Sequence, residues 1–182
     1  MPEDTEQAGE QRRRFQALVL PHLDDAVNFA WWLAGNRTDA EDIVQEAMLR
    51  AYKYFDRFTG ERARPWLLTI VRNTSATWMQ RNRPRALVLV SDSRDEADME
   101  AHRDETMPSP ETQSEHRELG RAIDRAVAAL PQEFREVILL REVEELSYKE
   151  IAHVVDVPIG TVMSRLARAR KLLQARLKEA VG

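Results

Sequence analysis

The stretch LSYKEIAHVVDVPIGTVMSRLARARKLLQARL, residues 146–177, decides how the rest of the chain is read. Ser147 and Glu150 have the spacing of a capping box, in which a hydroxyl and a carboxylate satisfy N–H groups that a first helical turn leaves open. A short helix over 147–155 then leads into the turn Asp156-Val157-Pro158-Ile159-Gly160, and a long helix follows over 160–179. Ile151, Ala152, Val155 and Val157 can pack against Val162 and Leu166. Such packing is how a helix-turn-helix holds its second helix at a fixed angle.

At about 100° per residue, Val162, Leu166, Ala169, Leu173 and Leu177 form one narrow apolar stripe. Ser164, Arg168 and Lys171 lie roughly opposite, with Ala167 beside them and Thr161 at the N-terminal edge. From Thr161 to Lys178 there are six basic residues and no acidic ones. Small or hydrogen-bonding residues allow close approach, and Arg and Lys reach base edges and phosphates. A merely solvated helix could carry the same basic face, but it would not need the capped helix and Pro-x-Gly turn before it.

Upstream of this half the pattern changes. Residues 84–116 carry three basic and nine acidic side chains, whereas residues 1–83 carry twelve of each and residues 117–182 twelve basic and ten acidic. The net charge of −4 therefore comes from the middle, and each flanking piece can still present a basic face. The middle segment is poor in large apolar residues, so it cannot bury enough surface to offset its ordering entropy. Within it, residues 86–90 (ALVLV) form the only strand-like run, read as an extended segment or small hydrophobic anchor.

The N-terminal half is again helical by period, with Val44, Met48, Ala51 and Phe55 recurring at spacings of three and four. Thr38-Asp39-Ala40-Glu41 reads as a second capping box, and Pro131 fits a first helical position. Helices are expected at 11–34, 38–57, 63–82, 115–130, 132–144, 147–155 and 160–179. The helix over 63–82 has an apolar face (Leu67, Ile70, Val71). Its polar face carries Arg72, Asn73, Ser75, Ala76, Thr77, Gln80 and Arg81, with Trp interspersed. Such residues suit hydrogen bonding and stacking on unpaired bases. The expected fold is all-α: two small helical domains joined by a flexible acidic linker, the C-terminal one a helix-turn-helix. The boundaries are a disordered tail over 1–11, a domain over 12–83, the linker over 84–114 and a second domain over 115–182.

The chain has no cysteine, which excludes disulfides and thiolate metal sites and points to a reducing cytoplasm. No stretch approaches the roughly 18–20 apolar residues that span a bilayer, and the acidic start does not read as a signal peptide. His22, His102, His116 and His153 are scattered, with no HExxH and no glycine-rich phosphate loop, so neither an enzyme nor a cofactor or metal is expected.

In order, DAEDIVQEAMLRAYKYF (39–55), RPWLLTIVRNTSATWMQRNR (64–83) and residues 130–173 resemble the two domains of extracytoplasmic-function (ECF) sigma factors of the sigma-70 family. The resemblance implies a transcription initiation factor that brings core RNA polymerase to promoters. It implies that Asp42, Gln45, Glu46 and Arg50 grip the clamp helices of the polymerase β′ subunit, with the β subunit a further partner. Residues 59–64, with Arg62 and Arg64, would capture a flipped base of the −10 element, and Arg72, Asn73, Thr77, Gln80 and Arg81 would face its non-template strand. Thr161, Ser164, Arg165, Arg168 and Lys171 would meet the −35 element in its major groove. The linker would run toward the active-site cleft and RNA exit channel. An anti-sigma factor, in many cases membrane-anchored, is the implied regulator. The competing readings are a sigma-like decoy that binds a regulator without DNA and a stand-alone helix-turn-helix regulator. Met163 and Ala167 depart from the larger or charged residues frequent at these positions in the family.

Overall fold

The computed structural model describes residues 2–89 and 110–181 and divides the chain into two compact units, Met1–Ser91 and Asp92–Gly182. All regular structure among the described residues is helical. Residues 90–109, most of the expected linker, lie outside them, as do the predicted path and mobility of that segment.

The first unit contains α1 (Pro2–Leu18), α2 (Leu23–Ala34), α3 (Arg37–Tyr54) and α4 (Ala63–Leu89), with short 3₁₀ turns at Leu20–His22 and Phe55–Arg57. Helices α2, α3 and α4 pack against one another around Phe29, Ile43, Leu67 and Leu68, all fully buried. Several expectations change here. Residues 2–11 are not a tail but the start of α1, which Phe15 ties down by edge-on contacts with Tyr52 and Phe55, each at 5.2 Å. The single helix expected over 11–34 breaks at Val19, where Pro21 removes an N–H and the chain tightens into the 3₁₀ turn. Helix α3 is capped by Asn36, not Thr38: the Asp39 N–H donates to Asn36 Oδ1 at 2.9 Å. Gly35 fixes that choice, because its left-handed φ of 79° ends α2 and leaves Asn36 as the extended residue before α3. Residues 86–89 are not extended but continue α4 past Pro84, into the stretch expected to be linker. A helix already formed gains one hydrogen bond for each residue it fixes, which outweighs the strand preference of so short a run.

The second unit contains α5 (Pro110–Ala128), α6 (Gln132–Glu142), α7 (Tyr148–Val155) and α8 (Ile159–Val181). Helix α5 starts before the expected 115, and Pro131 sits at the N-cap of α6, one position earlier than read from sequence. The capping box at Ser147 and Glu150 is present. Helix α8 packs on α5, α6 and α7, and its Val162, Leu166 and Ala169 are buried with Ile151, Val154 and Val155 of α7. Asp156 makes the turn between α7 and α8 in the left-handed region (φ 54°), a conformation that aspartate tolerates better than most residues.

Candidate nucleic-acid and polymerase interface

Helix α8 sorts its basic residues by direction. Arg165, expected on the DNA face, is instead half-buried and lies 3.5 Å from Glu133 at the start of α6. Arg170 donates to Glu142 at 2.8 Å at the other end of α6. Hydrogen bonding to Glu142, and then to Tyr148, raises the Arg170 pKa further above its ordinary value. The two arginines flank the buried Val162/Leu166/Ala169 stripe and tie α8 across α6. Each pair is partly solvated, so each is worth at most about 1 kcal/mol; the buried stripe decides which side of α8 points out, and the pairs reinforce it. Ser164, Ala167, Arg168 and Lys171 are exposed there, and Thr161 is half-buried at the edge. Ser164 Oγ donates to the Thr161 carbonyl at 3.0 Å. Among the described residues neither Arg168 nor Lys171 enters an ion pair, so the outward face carries two cations without a carboxylate beside them.

In the first unit α3 buries Ala40, Ile43, Val44, Ala47 and Ala51 and turns Asp42 and Gln45 outward. Leu49 shares that outward stripe and is 70% exposed, a feature the sequence reading missed. Its signal was present: it lies opposite the Ala40/Val44/Ala47/Ala51 stripe, where an apolar side chain has no core to enter. Glu46 and Arg50 are half-buried and hydrogen-bonded to each other, and Glu46 lies 3.9 Å from Arg81 of α4. Glu46 thus links the expected polymerase-binding face to one expected to meet DNA.

Helix α4 exposes Asn73 and Gln80, with Arg72 and Thr77 half-buried beside them. Thr77 Oγ1 donates to the Asn73 carbonyl at 3.0 Å. Ser75, expected on the same polar face, is buried with Thr74, and neither hydroxyl has a hydrogen-bond partner among the described residues. Both tryptophans of α4 are half-buried. Trp66 packs against Phe58 at 4.8 Å, and the Trp78 ring nitrogen is buried. Before α4, Gly60 takes a φ of 98°, and a Cβ there would lie 3.4 Å from Arg14 Nη2. Arg14 also covers the Phe55 ring, and Gln11 donates to Asp56 at 2.8 Å, so α1 braces the 55–60 turn. Arg62 is exposed after that turn, whereas Arg64 donates to Asp25 of α2 at 2.7 Å. Arg64 therefore acts as a strut between α4 and α2.

No group of three or more His, Cys, Asp or Glu side chains that could hold a metal ion occurs among the described residues, and none of their helices is long and apolar enough to cross a membrane.

Residues 18–85 match the sequence family described as Sigma-70 region 2, and residues 120–173 match Sigma-70, region 4. The chain is 35% identical over 147 residues to the ECF RNA polymerase sigma-E factor of Haemophilus influenzae, covering 79% of this chain and 77% of that one. It is 36% identical over 149 residues to the protein of the same name in Escherichia coli, covering 77% and 74%. Among solved structures it is similar to the Bartonella quintana sigma factor RpoE in complex with the anti-sigma factor NepR (TM-score 0.64, 28% identity, 90% of this chain and 96% of that one). CnrH in complex with the cytosolic domain of CnrY shares the fold (TM-score 0.62, 24% identity, 92% and 90%).

Proposed function

This chain belongs to the ECF RNA polymerase sigma factors of the sigma-70 family, and from that premise we propose how its surfaces divide the work of transcription initiation. The outward stripe of α3, Asp42, Gln45 and Leu49, binds the clamp helices of core RNA polymerase, with Glu46 and Arg50 at its margin. Asn73 and Gln80, with Arg72, Thr77 and Arg81, face the −10 strand, and the turn before α4 with Arg62 takes the flipped base. Thr161, Ser164, Arg168 and Lys171 enter the −35 major groove, and Arg165 holds the helix in place behind them. An anti-sigma factor that covers both units silences the protein in the cytoplasm, in keeping with the complex formed by its relative RpoE. None of these roles calls for a catalytic residue or a cofactor.

One observation carries the reading. The face of α8 opposite its buried stripe holds exposed Arg168 and Lys171, while the neighbouring arginines are neutralised against α6. A helix that only needed solubility would gain nothing from keeping carboxylates off that face, whereas a duplex supplies the opposite charge through its phosphates.

The test is reconstitution of the full chain with core polymerase. Leu49→Asp should weaken association with core by about tenfold or more, as loss of a central interface side chain does. Circular dichroism should remain unchanged, because Leu49 is solvent-exposed. Glu46 is a poorer probe, since reversing its charge also disturbs Arg50 and Arg81. Normal core binding by Leu49→Asp would remove this face from the reading. Failure of the wild-type chain to direct promoter-specific transcription would favour the decoy.

A further inference from the structure

Helix α8 carries an apolar feature that its charge does not explain. Met163 is 53% exposed and Ile159, one turn before it, is 45% exposed, yet both belong to the helix that exposes Arg168 and Lys171. At about 100° per residue, Met163 and Ala167 occupy one flank of the outward face, and Ser164 and Arg168 the other. Between the flanks lies Gly160, whose backbone is not in the left-handed region and where a Cβ would meet nothing within 4 Å. The space above the first turn is therefore open to another molecule.

We infer that Met163, with Ile159 and Ala167, forms an apolar reading edge that selects thymine, through its 5-methyl group, in the −35 duplex. The inference rests on the placing of α8 in the −35 major groove. A base edge in that groove offers one apolar feature, the thymine methyl, and apolar side chains are the contacts that recognise it. The N-terminal residues of a recognition helix are those that contact base edges, and Met163 and Ile159 stand in its first turns. An acidic or neutral partner surface could also cover an exposed methionine. Here, however, Arg168 and Lys171 share the face and no acidic residue occurs from Thr161 to Lys178, which complements a polyanion. Met163 also cannot donate the paired hydrogen bonds that read guanine. The two flanks thus divide the readout: thymine methyl groups on the Met163 side, guanine acceptors on the Arg168 side.

The test uses holoenzyme reconstituted with the full chain. Preferred −35 sequences are first selected from duplexes randomised across the element. Each thymine in the selected site is then replaced by deoxyuridine, which pairs identically but lacks the methyl. At one or two positions the replacement should weaken binding by the wild type by about fourfold, the effect of burying one methyl. The same replacement should leave Met163→Ala binding unchanged. Equal responses to deoxyuridine in wild type and Met163→Ala would overturn the inference and leave the patch to a protein partner. Absence of any selection by the wild-type holoenzyme would instead overturn the −35 reading itself, and this inference with it.

Discussion

Helices α4 and α8 both present a polar stripe to solvent, but the sides they bury differ. The buried side of α8 is wholly apolar where it is deepest (Val162, Leu166, Ala169), and the arginines at its margins are paired across α6. The buried side of α4 mixes Leu67, Leu68 and Val71 with two hydroxyls and an indole N–H that have no partner among the described residues. In α8 the deepest positions are all apolar, so helical period alone picks out its buried stripe. In α4 polarity and exposure separate, and a polar residue such as Ser75 can sit in the core. A face read from residue type is therefore dependable only where the buried side satisfies its own chemistry.

That contrast can be broken at several places. The largest effect should come from Leu166→Ala, which opens a cavity at the centre of the second unit and should cost about 2–5 kcal/mol in denaturant unfolding. A loss below about 1 kcal/mol would mean that α8 is not fixed by its apolar stripe. Ser75→Ala should act in the opposite direction. It removes a buried hydroxyl without a partner, so the first unit should gain roughly 1 kcal/mol. Ser164→Ala on the outward face of α8 should stay within about 0.5 kcal/mol of wild type. Destabilisation by Ser75→Ala would return that residue to the polar face. Ser147→Ala should cost about 1 kcal/mol through loss of the α7 cap. Arg165→Ala should cost less than about 1 kcal/mol, with no change in base preference. A shift in −35 preference for Arg165→Ala comparable to that of Arg168→Ala would show that both arginines reach the groove.

How much of this was legible follows the same logic. The capped α7, the turn and the α8 stripe are local patterns, fixed within about 30 residues by chemistry that neighbours in sequence supply, and they were read correctly. So were the outward positions of Asp42, Gln45, Asn73 and Gln80. The ion pairs of Arg64 and Arg165 were not legible, because their partners, Asp25 and Glu133, lie far along the chain and nothing near either arginine names them. The start of α1, residues 2–10, was not foreseen for a related reason. It is polar and largely acidic, and the anchor of the helix is Phe15, whose partners Tyr52 and Phe55 belong to distant elements. The Asn36 cap escaped notice because the capping-box spacing at Thr38 is as good by sequence. The deciding feature was the left-handed Gly35 that ends the helix before it.

We propose that the outward face of α8 reads promoter sequence and that its cations do different work. The most direct measurement is transcription by reconstituted holoenzyme on a library randomised across the −35 element, at two salt concentrations. Arg168→Ala should relax preference at one or two positions, by roughly 1–3 kcal/mol of base discrimination. Lys171→Ala should weaken all promoters about equally and reduce the salt slope by about one. An unchanged −35 preference in Arg168→Ala would contradict the account and reduce that arginine to a phosphate contact.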